Sequence, residues 1–248
     1  KDVGRRQFPS KRFFEQKLKS GFNYSIAITK GIYEYFNLQD RAKVIYDGVF
    51  SINYRNKPIK KEDNIFLYVG RLTENKGLQE LLNAFSLFAR ENRDHLLLIV
   101  GDGDEKFKHK LKCFIKDNDI CKNVLFLGYR KDVYDLMSQA KALIVPSRFE
   151  AFGFITAEAM LNKCLVIGKN TGGTKEQFDN LFQISHKNLF IRYESEKDLL
   201  NGLYQVRDMD INEYISIVED ARKYVTNLYS IENSSSQVIS FYNTILKS

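Results

Sequence analysis

Short apolar runs alternate with longer amphipathic stretches through most of this sequence. Apolar runs that end at Gly, Pro or Asp are typical of buried strands, whereas apolar residues that repeat every three or four positions are typical of helices. The predicted strands are 24–28, 44–46, 65–69, 96–100, 124–127, 142–145, 165–168 and 190–191, and the predicted helices are 30–36, 78–92, 105–117, 133–140, 198–207, 211–228 and 231–246. The alternation through about six strands from residue 65 onward predicts an α/β fold with a doubly wound, mainly parallel sheet.

Composition is that of an ordinary globular protein. The chain has 248 residues, of which 44% are apolar and 28% charged, so a packed core is expected. No apolar run approaches the roughly 18 residues of a membrane span, and no signal peptide is visible. The chain begins with Lys1 rather than Met, which suggests a fragment or a processed chain. The three cysteines are an odd number without metal-like spacing, and reduced thiols in a cytosolic protein are expected.

The net charge of +7 changes the set of partners to consider. Nucleic acid, an anionic membrane surface and a polyphosphate ligand would each explain it, and so would a basic solvated surface. Lysines are spread along the chain and no nucleic-acid recognition motif is present, so no nucleic-acid partner is predicted. Residues 1–20 combine basic residues with aromatics at helical spacing, which suits a helix lying on a membrane but also a helix packed on its own domain.

Candidate chemistry begins on the loop after the predicted strand at 65–69. Gly70, Arg71 and Lys76 lie there, before the next predicted helix. A glycine lets a ligand approach the backbone closely, and two cations at a strand end can hold a diphosphate, arginine as a fork and lysine as a point charge. Taken alone, a loop Arg and Lys are usually solvated, so this interpretation depends on the flanking strand and helix.

Two glutamates follow the predicted strand at 142–145. Glu150 and Glu158, with seven residues between them, lie on a strand-to-helix junction, where open parallel sheets bind ligands. Phe152, Gly153 and Phe154 lie between them and supply a permissive glycine and the amides of a helix N-terminus, which favour an anion. Glutamates at this spacing also occur by chance as solvated charges. In this setting we predict that both carboxylates face one crevice.

Two further loops follow neighbouring predicted strands. Gly101 and Gly103 either line the crevice or form a simple strand-to-helix turn. Asp132 is predicted to cap the helix that begins at 133. Tyr129 and Arg130 lie on the loop before it.

These motifs together resemble those of retaining glycosyltransferases with two Rossmann-like lobes, the GT-B type of glycosyltransferase family 4, or group 1. The segments that carry the resemblance are Gly-Arg-x4-Lys-Gly at 70–77, Glu-x7-Glu at 150–158 and a glycine turn at 171–174 that leads into Glu176. The chain departs from the family pattern at Lys175, where a proline is usual, and at Asp47, where an asparagine is usual.

The resemblance implies roles for most of these residues. Arg71 and Lys76 would stabilise the leaving diphosphate, so that neither a metal nor another cofactor is needed. Glu150, with the amides of residues 152–154, would hold the donor sugar, and Glu158 would accept hydrogen bonds from the ribose. The loop with Tyr129 and Arg130 would lie beside the nucleobase, where Tyr129 either stacks on the base or fills the loop.

The resemblance also implies the partners. The donor would be a UDP- or GDP-sugar and the acceptor a glycan or a lipid-linked sugar, in polysaccharide or glycoconjugate biosynthesis. The location would be cytoplasmic, and the basic composition is compatible with peripheral contact at the cytoplasmic face of the membrane. The alternative is a non-catalytic nucleotide-sugar-binding subunit of a split or degenerate glycosyltransferase.

The implied domains are the tail of an N-terminal acceptor lobe at 1–52, an interlobe linker at 53–63, a nucleotide-sugar-binding domain at 64–230, and a terminal crossover helix at 231–248. Only the tail of the acceptor lobe is expected in this chain. We therefore expect it to bind the donor but to transfer sugar poorly by itself.

Overall fold

The computed structural model of the chain describes residues 16, 24–38, 42–50 and 62–247. Apart from residue 16, the basic helix predicted in residues 1–20 lies outside these described residues, as does most of the linker predicted at 53–63. The strands are β1 Ser25–Ala27, β2 Ala42–Val44, β3 Glu62–Val69, β4 Leu96–Val100, β5 Val124–Gly128, β6 Ala140–Val145, β7 Leu165–Lys169 and β8 Ile191–Tyr193. The helices are α1 Lys30–Tyr35, α2 Leu78–Glu91, α3 Glu105–Asp117, α4 Val133–Gln139, α5 Phe154–Leu161, α6 Gly172–Ser185, α7 Glu196–Asp208, α8 Ile211–Tyr229 and α9 Ile231–Leu246.

The main sheet has six strands in the order β5-β4-β3-β6-β7-β8. Each pairing within it is parallel, and helices connect its consecutive strands on both faces. The doubly wound sheet predicted from the alternation of strands and helices is therefore confirmed.

The strands bury both of their faces because helices cover both sides of the sheet. Successive residues of a strand point to opposite faces, so Phe66 belongs to the core under α2, α3 and α7, and Leu67 to the core under α4, α5, α6 and α8. Both side chains are fully buried, and each such burial contributes about 1.5–3 kcal/mol. The continuous apolar runs that marked the strands in the sequence follow from this two-sided burial.

Residues 24–38 and 42–50 pack against the end of the chain. β1 and β2 form a separate two-stranded parallel sheet. Val49 bridges to Ser230, the Ser234 hydroxyl donates to the Tyr46 carbonyl at 2.8 Å, and the rings of Tyr24 and Phe241 meet edge to face. Helix α9 therefore connects residues 24–38 and 42–50 to the main domain.

Several local predictions need correction. The glycine turn predicted at 171–174 is the first turn of α6, which begins at Gly172 after the N-cap residue Thr171, because a glycine pair does not prevent a helix from starting. β2 covers Ala42–Val44 rather than 44–46, and β3 already begins at Glu62, inside the predicted linker. Thr29 is the N-cap residue of α1, since its hydroxyl accepts from the Ile32 amide at 3.2 Å.

Candidate functional site

The strand order of the sheet reverses between β3 and β6. From β3 the chain continues through β4 to one edge of the sheet, and from β6 it continues through β7 to the other. The loops that leave the carboxyl ends of these two neighbours therefore diverge and leave a crevice, which is where such sheets bind ligands. The loop after β3 carries Arg71 and Lys76, and the loop after β6 carries Glu150.

Lys76 and Glu150 form an ion pair across this crevice. The lysine Nζ lies 2.5 Å from the glutamate Oε1, and the two side chains are only 17% and 18% exposed. The loops are also joined through the backbone, because the Arg148 amide donates to the Asn75 carbonyl at 3.0 Å. The structure thus brings together two charges that the sequence assigned separately to a diphosphate and to a sugar.

Arg71 is an exposed cation on the same loop as Lys76. Its side chain is exposed, whereas its carbonyl accepts a hydrogen bond from the Tyr68 hydroxyl at 2.9 Å. Burial raises the pKa of Tyr68 well above its usual value, and the negative charge of Glu150 adds to the effect. Tyr68 therefore stays protonated and fixes the backbone of the Arg71 loop from below.

Gly101 supports this loop from the side. Its φ is +132°, and a Cβ at this position would lie 1.9 Å from the Gly70 carbonyl oxygen. Gly103 bridges to Leu72 in the same way. The two glycines were predicted either to line the crevice or to form a simple turn. In the structure they also let two loop backbones touch, and this contact holds Gly70 and Arg71 in place.

A glycine pair on α6 supports the Glu150 loop. The Gly173 amide donates to the Glu150 carbonyl at 2.7 Å, and a Cβ on Gly172 would lie 2.5 Å from that same oxygen. Gln177, which the sequence analysis missed, donates from Nε2 to the Phe152 carbonyl at 2.7 Å. The one signal for Gln177 was a polar residue one turn after the glycine pair.

The two phenylalanines on either side of Gly153 differ in exposure. Phe152 is buried, and its ring meets Tyr229 edge to face at 5.3 Å, so this residue contributes its backbone to the crevice. Phe154 is 48% exposed and begins α5 directly after Gly153, whose φ is +87°. Helix α5 therefore begins beside the crevice, and anion binding by its first amides stays a prediction.

Glu158 lies on α5 and accepts a hydrogen bond from the Tyr134 hydroxyl on α4 at 3.1 Å. Burial raises the pKa of Glu158, and the Tyr134 hydrogen bond partly offsets the shift. Tyr134 was not singled out in the sequence, because a tyrosine in a short helix carries no signal of its partner. The hydrogen bond links the carboxylate predicted for the ribose to the helix after the loop predicted for the base.

Glu158→Gln is expected to change the pH dependence of stability. With a raised pKa, the folded chain holds the Glu158 proton more tightly than the unfolded chain does. Stability is therefore lost as pH rises from the unfolded pKa toward the raised folded value. The free energy of unfolding of the Gln variant, measured relative to wild type in urea, should increase between about pH 4 and pH 7. The same substitution at exposed Glu232 is the control, and a flat or falling difference for Glu158→Gln would contradict the prediction.

The loop at 129–131 presents one free ring and one paired cation. Tyr129 is 77% exposed, so it does not fill the loop. Arg130 donates to both carboxylate oxygens of Asp132, at 2.8 and 2.5 Å. Asp132 occupies the predicted N-cap position, but its side chain makes no hydrogen bond to the helix, because its carboxylate binds Arg130.

Other candidate chemistry falls outside the crevice. His109 and Cys113 lie 3.5 Å apart on the exposed face of α3. Among residues 24–38, 42–50 and 62–247, no group of three or more His, Cys, Asp or Glu side chains is arranged to hold a metal ion. No helix in these ranges is long and apolar enough to cross a membrane.

The sequence matches one family over most of its length. The sequence model of the family described as "Glycosyl transferases group 1" matches residues 50–224. The uncharacterised glycosyltransferase MJ1607 of Methanocaldococcus jannaschii is 26% identical over 225 residues, which is 84% of this chain and 55% of that protein. N-acetylgalactosamine-N,N'-diacetylbacillosaminyl-diphospho-undecaprenol 4-alpha-N-acetylgalactosaminyltransferase of Campylobacter jejuni is 26% identical over 68% of this chain and 45% of its own. This chain thus spans about half the length of these two relatives.

The match to a solved structure covers more of this chain than the sequence matches do. Anabaena Alr3699/HepE, solved in complex with UDP and glucose, superposes on 94% of this chain and 66% of its own with a TM-score of 0.80, at 19% sequence identity. At that identity the likeness establishes the architecture, which is the GT-B type of α/β fold that the resemblance implied.

Proposed function

Because this chain belongs to the glycosyl transferases group 1 family, we propose that it is the donor-binding part of a retaining glycosyltransferase that uses a UDP- or GDP-sugar. The observation that carries the proposal is the Lys76–Glu150 ion pair, which sits at the reversal of strand order with Arg71 open beside it. Lys76 is mostly buried beyond the end of a strand, and a diphosphate can replace the carboxylate that pairs with it. Such a cation is suited to bind a diphosphate.

The proposed reaction replaces one glycosidic bond with another. The bond between the sugar C1 and the diphosphate oxygen breaks, and the acceptor oxygen bonds to C1 on the same face. The acceptor proton passes to the departing phosphate oxygen. Arg71 and Lys76 stabilise the negative charge that develops on the diphosphate, and fixed cations in a partly closed crevice make this a large electrostatic contribution.

The two carboxylates have separate proposed roles. Glu150 accepts hydrogen bonds from donor-sugar hydroxyls, with the first amides of α5 beside it, and Glu158 accepts them from the ribose. The pairing of Glu150 with Lys76 supports a binding role for Glu150 rather than that of a covalent nucleophile. The exposed ring of Tyr129 is available to stack on the base, and Arg130 lies on the same loop.

The acceptor and the location extend this proposal. The Campylobacter relative is named for a diphospho-undecaprenol substrate, which supports a lipid-linked or glycan acceptor in polysaccharide or glycoconjugate biosynthesis. The three cysteines are free, which supports a reducing cytoplasm. Peripheral contact with the cytoplasmic membrane face would bring the site to such an acceptor.

Calorimetric titration tests the donor class directly. The chain is titrated with UDP, GDP and ADP and with their sugar conjugates, with and without Mg²⁺. We expect one nucleotide diphosphate to bind with a Kd that changes by less than about threefold when Mg²⁺ is removed, because protein cations neutralise the phosphates. The complex of Anabaena Alr3699/HepE contains UDP, and UDP is therefore the first probe. Binding that requires Mg²⁺, or no binding to any of the three, would contradict the proposal.

A further inference from the structure

The carboxylate of Glu176 is bound by residues of the ranges 24–38 and 42–50. It accepts hydrogen bonds from the Lys30 amide at 2.6 Å, the Gly31 amide at 3.0 Å and the Tyr46 hydroxyl at 2.8 Å. Charge-assisted hydrogen bonds of this kind are stronger than neutral ones. The three hydrogen bonds engage both oxygens of the Glu176 carboxylate.

The helix that carries Glu176 also supports the candidate site. Gly172 lies one helical turn before Glu176 and packs on the backbone of Glu150. The first turn of α6 therefore touches the Glu150 loop, and its second turn holds the start of α1. One short stretch of helix joins the donor crevice to residues 24–38 and 42–50.

A second connection runs through aromatic rings. The ring of Tyr46, whose hydroxyl reaches Glu176, meets Tyr229 edge to face at 5.3 Å, and Tyr229 meets Phe152 in the same way. Asn180, one turn beyond Glu176, donates to the Tyr229 hydroxyl at 3.0 Å. Both connections end on the loop between Glu150 and Gly153.

We propose that Glu176 is a positioning residue that fixes residues 24–38 and 42–50 on the donor-binding domain and couples them to the Glu150 loop. This inference rests on the proposed function, because the coupling matters only if the crevice beside the Glu150 loop binds the donor. Glu176 does not touch the donor in this arrangement. Occupation of the crevice orders the Glu150 loop, and Glu176 transmits that ordering to α1.

The first test is hydrogen exchange of the chain without ligand. Glu176→Gln replaces one carboxylate oxygen with an NH₂ group that cannot accept from an amide or a hydroxyl. Exchange in peptides covering 24–38 should accelerate about tenfold or more, while the core strands keep their protection. Asp179→Asn is the matched control, because Asp179 lies on the same helix but pairs with Lys175 and Arg192. Equal exchange in wild type and Glu176→Gln would overturn the proposal.

The second test separates positioning from donor contact. UDP affinity of Glu176→Gln should stay within about threefold of wild type, because Glu176 makes no donor contact in this proposal. UDP should slow exchange in residues 30–36 of the wild type and leave it unchanged in Glu176→Gln. A loss of UDP affinity like that of a Lys76 variant would show that Glu176 binds the donor, and slowing of exchange by UDP in both proteins would show that it does not couple the two regions. If wild type binds neither UDP nor GDP, the donor proposal fails while the ligand-free test of Glu176 stands.

A double-mutant cycle with Tyr46→Phe completes the test. Tyr46 and Glu176 share one hydrogen bond, which Tyr46→Phe and Glu176→Ala each remove, so the double substitution cannot remove it again. The combined acceleration of exchange in residues 24–38 should therefore be smaller than the product of the two single effects. Full multiplicativity would show that the two residues act independently and would overturn the coupling.

Discussion

Lys76→Ala is expected to weaken UDP binding by about 10- to 100-fold, since a hydrogen bond to a charged group contributes about 1.5–3 kcal/mol. Lys76 is 17% exposed and sits at the carboxyl end of the central strand β3, so solvent screens it little. Removing it also leaves Glu150 in a partly buried position without a counter-charge. Calorimetry with UDP measures the affinity, and thermal unfolding checks that the variant is folded.

Lys122→Ala is the matched control for that experiment. Lys122 is exposed and precedes β5, at the edge of the sheet opposite the crevice, so it carries the same charge without access to the donor. Both variants lower the net charge by one. Equal losses of affinity would mean that UDP responds only to overall charge, and no loss at Lys76 would remove the central residue of the proposed site.

Glu150→Gln is expected to have the opposite effect on binding and a larger effect on turnover. In the ligand-free chain the Glu150 carboxylate neutralises Lys76, and a diphosphate must replace it. An amide frees the lysine and removes a like charge, so UDP should bind about 3- to 10-fold more tightly. Turnover should fall by about 100-fold or more, because the donor sugar loses an ionised acceptor that is fixed in place.

The two quantities are measured separately for Glu150→Gln, affinity by UDP titration and turnover by release of UDP from a UDP-sugar. Tighter binding with lost turnover identifies Glu150 as part of a working transferase site. Absence of UDP release in wild type as well as in the variant would favour the alternative of a nucleotide-sugar-binding subunit without catalysis. Release that the substitution leaves unchanged would show that Glu150 is not needed for turnover. Weaker UDP binding would mean that Glu150 organises the phosphate site rather than competing with the phosphate.

The sheet and the crevice were predictable from local sequence because each strand of the main sheet has a recognisable local pattern. Buried parallel strands are continuous apolar runs, and the loops that follow them at 70–77 and 150–158 carry the charged residues. Parallel strands place such loops on one edge of the sheet, so Arg71, Lys76 and Glu150 could be assigned to one site without coordinates.

The contacts that decide the behaviour of the site were not predictable. The pairing of Lys76 with Glu150 and the hydrogen bond from Tyr134 to Glu158 depend on which strands become neighbours, and no local pattern specifies that. Asp132 lies at the N-cap position that the capping rule predicts, but its carboxylate binds Arg130 instead of the helix amides. Gly101 was predicted either to line the crevice or to form a simple turn, whereas its nearest neighbour is the backbone of Gly70.

The pairing of β3 with β6 also determines when this site forms during folding. Phe66 pairs with Ala142, and the ion-paired residues are separated by 74 positions, so the two sides of the crevice meet only after a long loop has closed. Contacts between residues so distant in sequence form slowly, and a nascent chain must extend beyond β6 before they exist. The proposed nucleotide binding is therefore expected late in the maturation of the chain, and a donor present during synthesis should stabilise the finished domain without assisting its early steps.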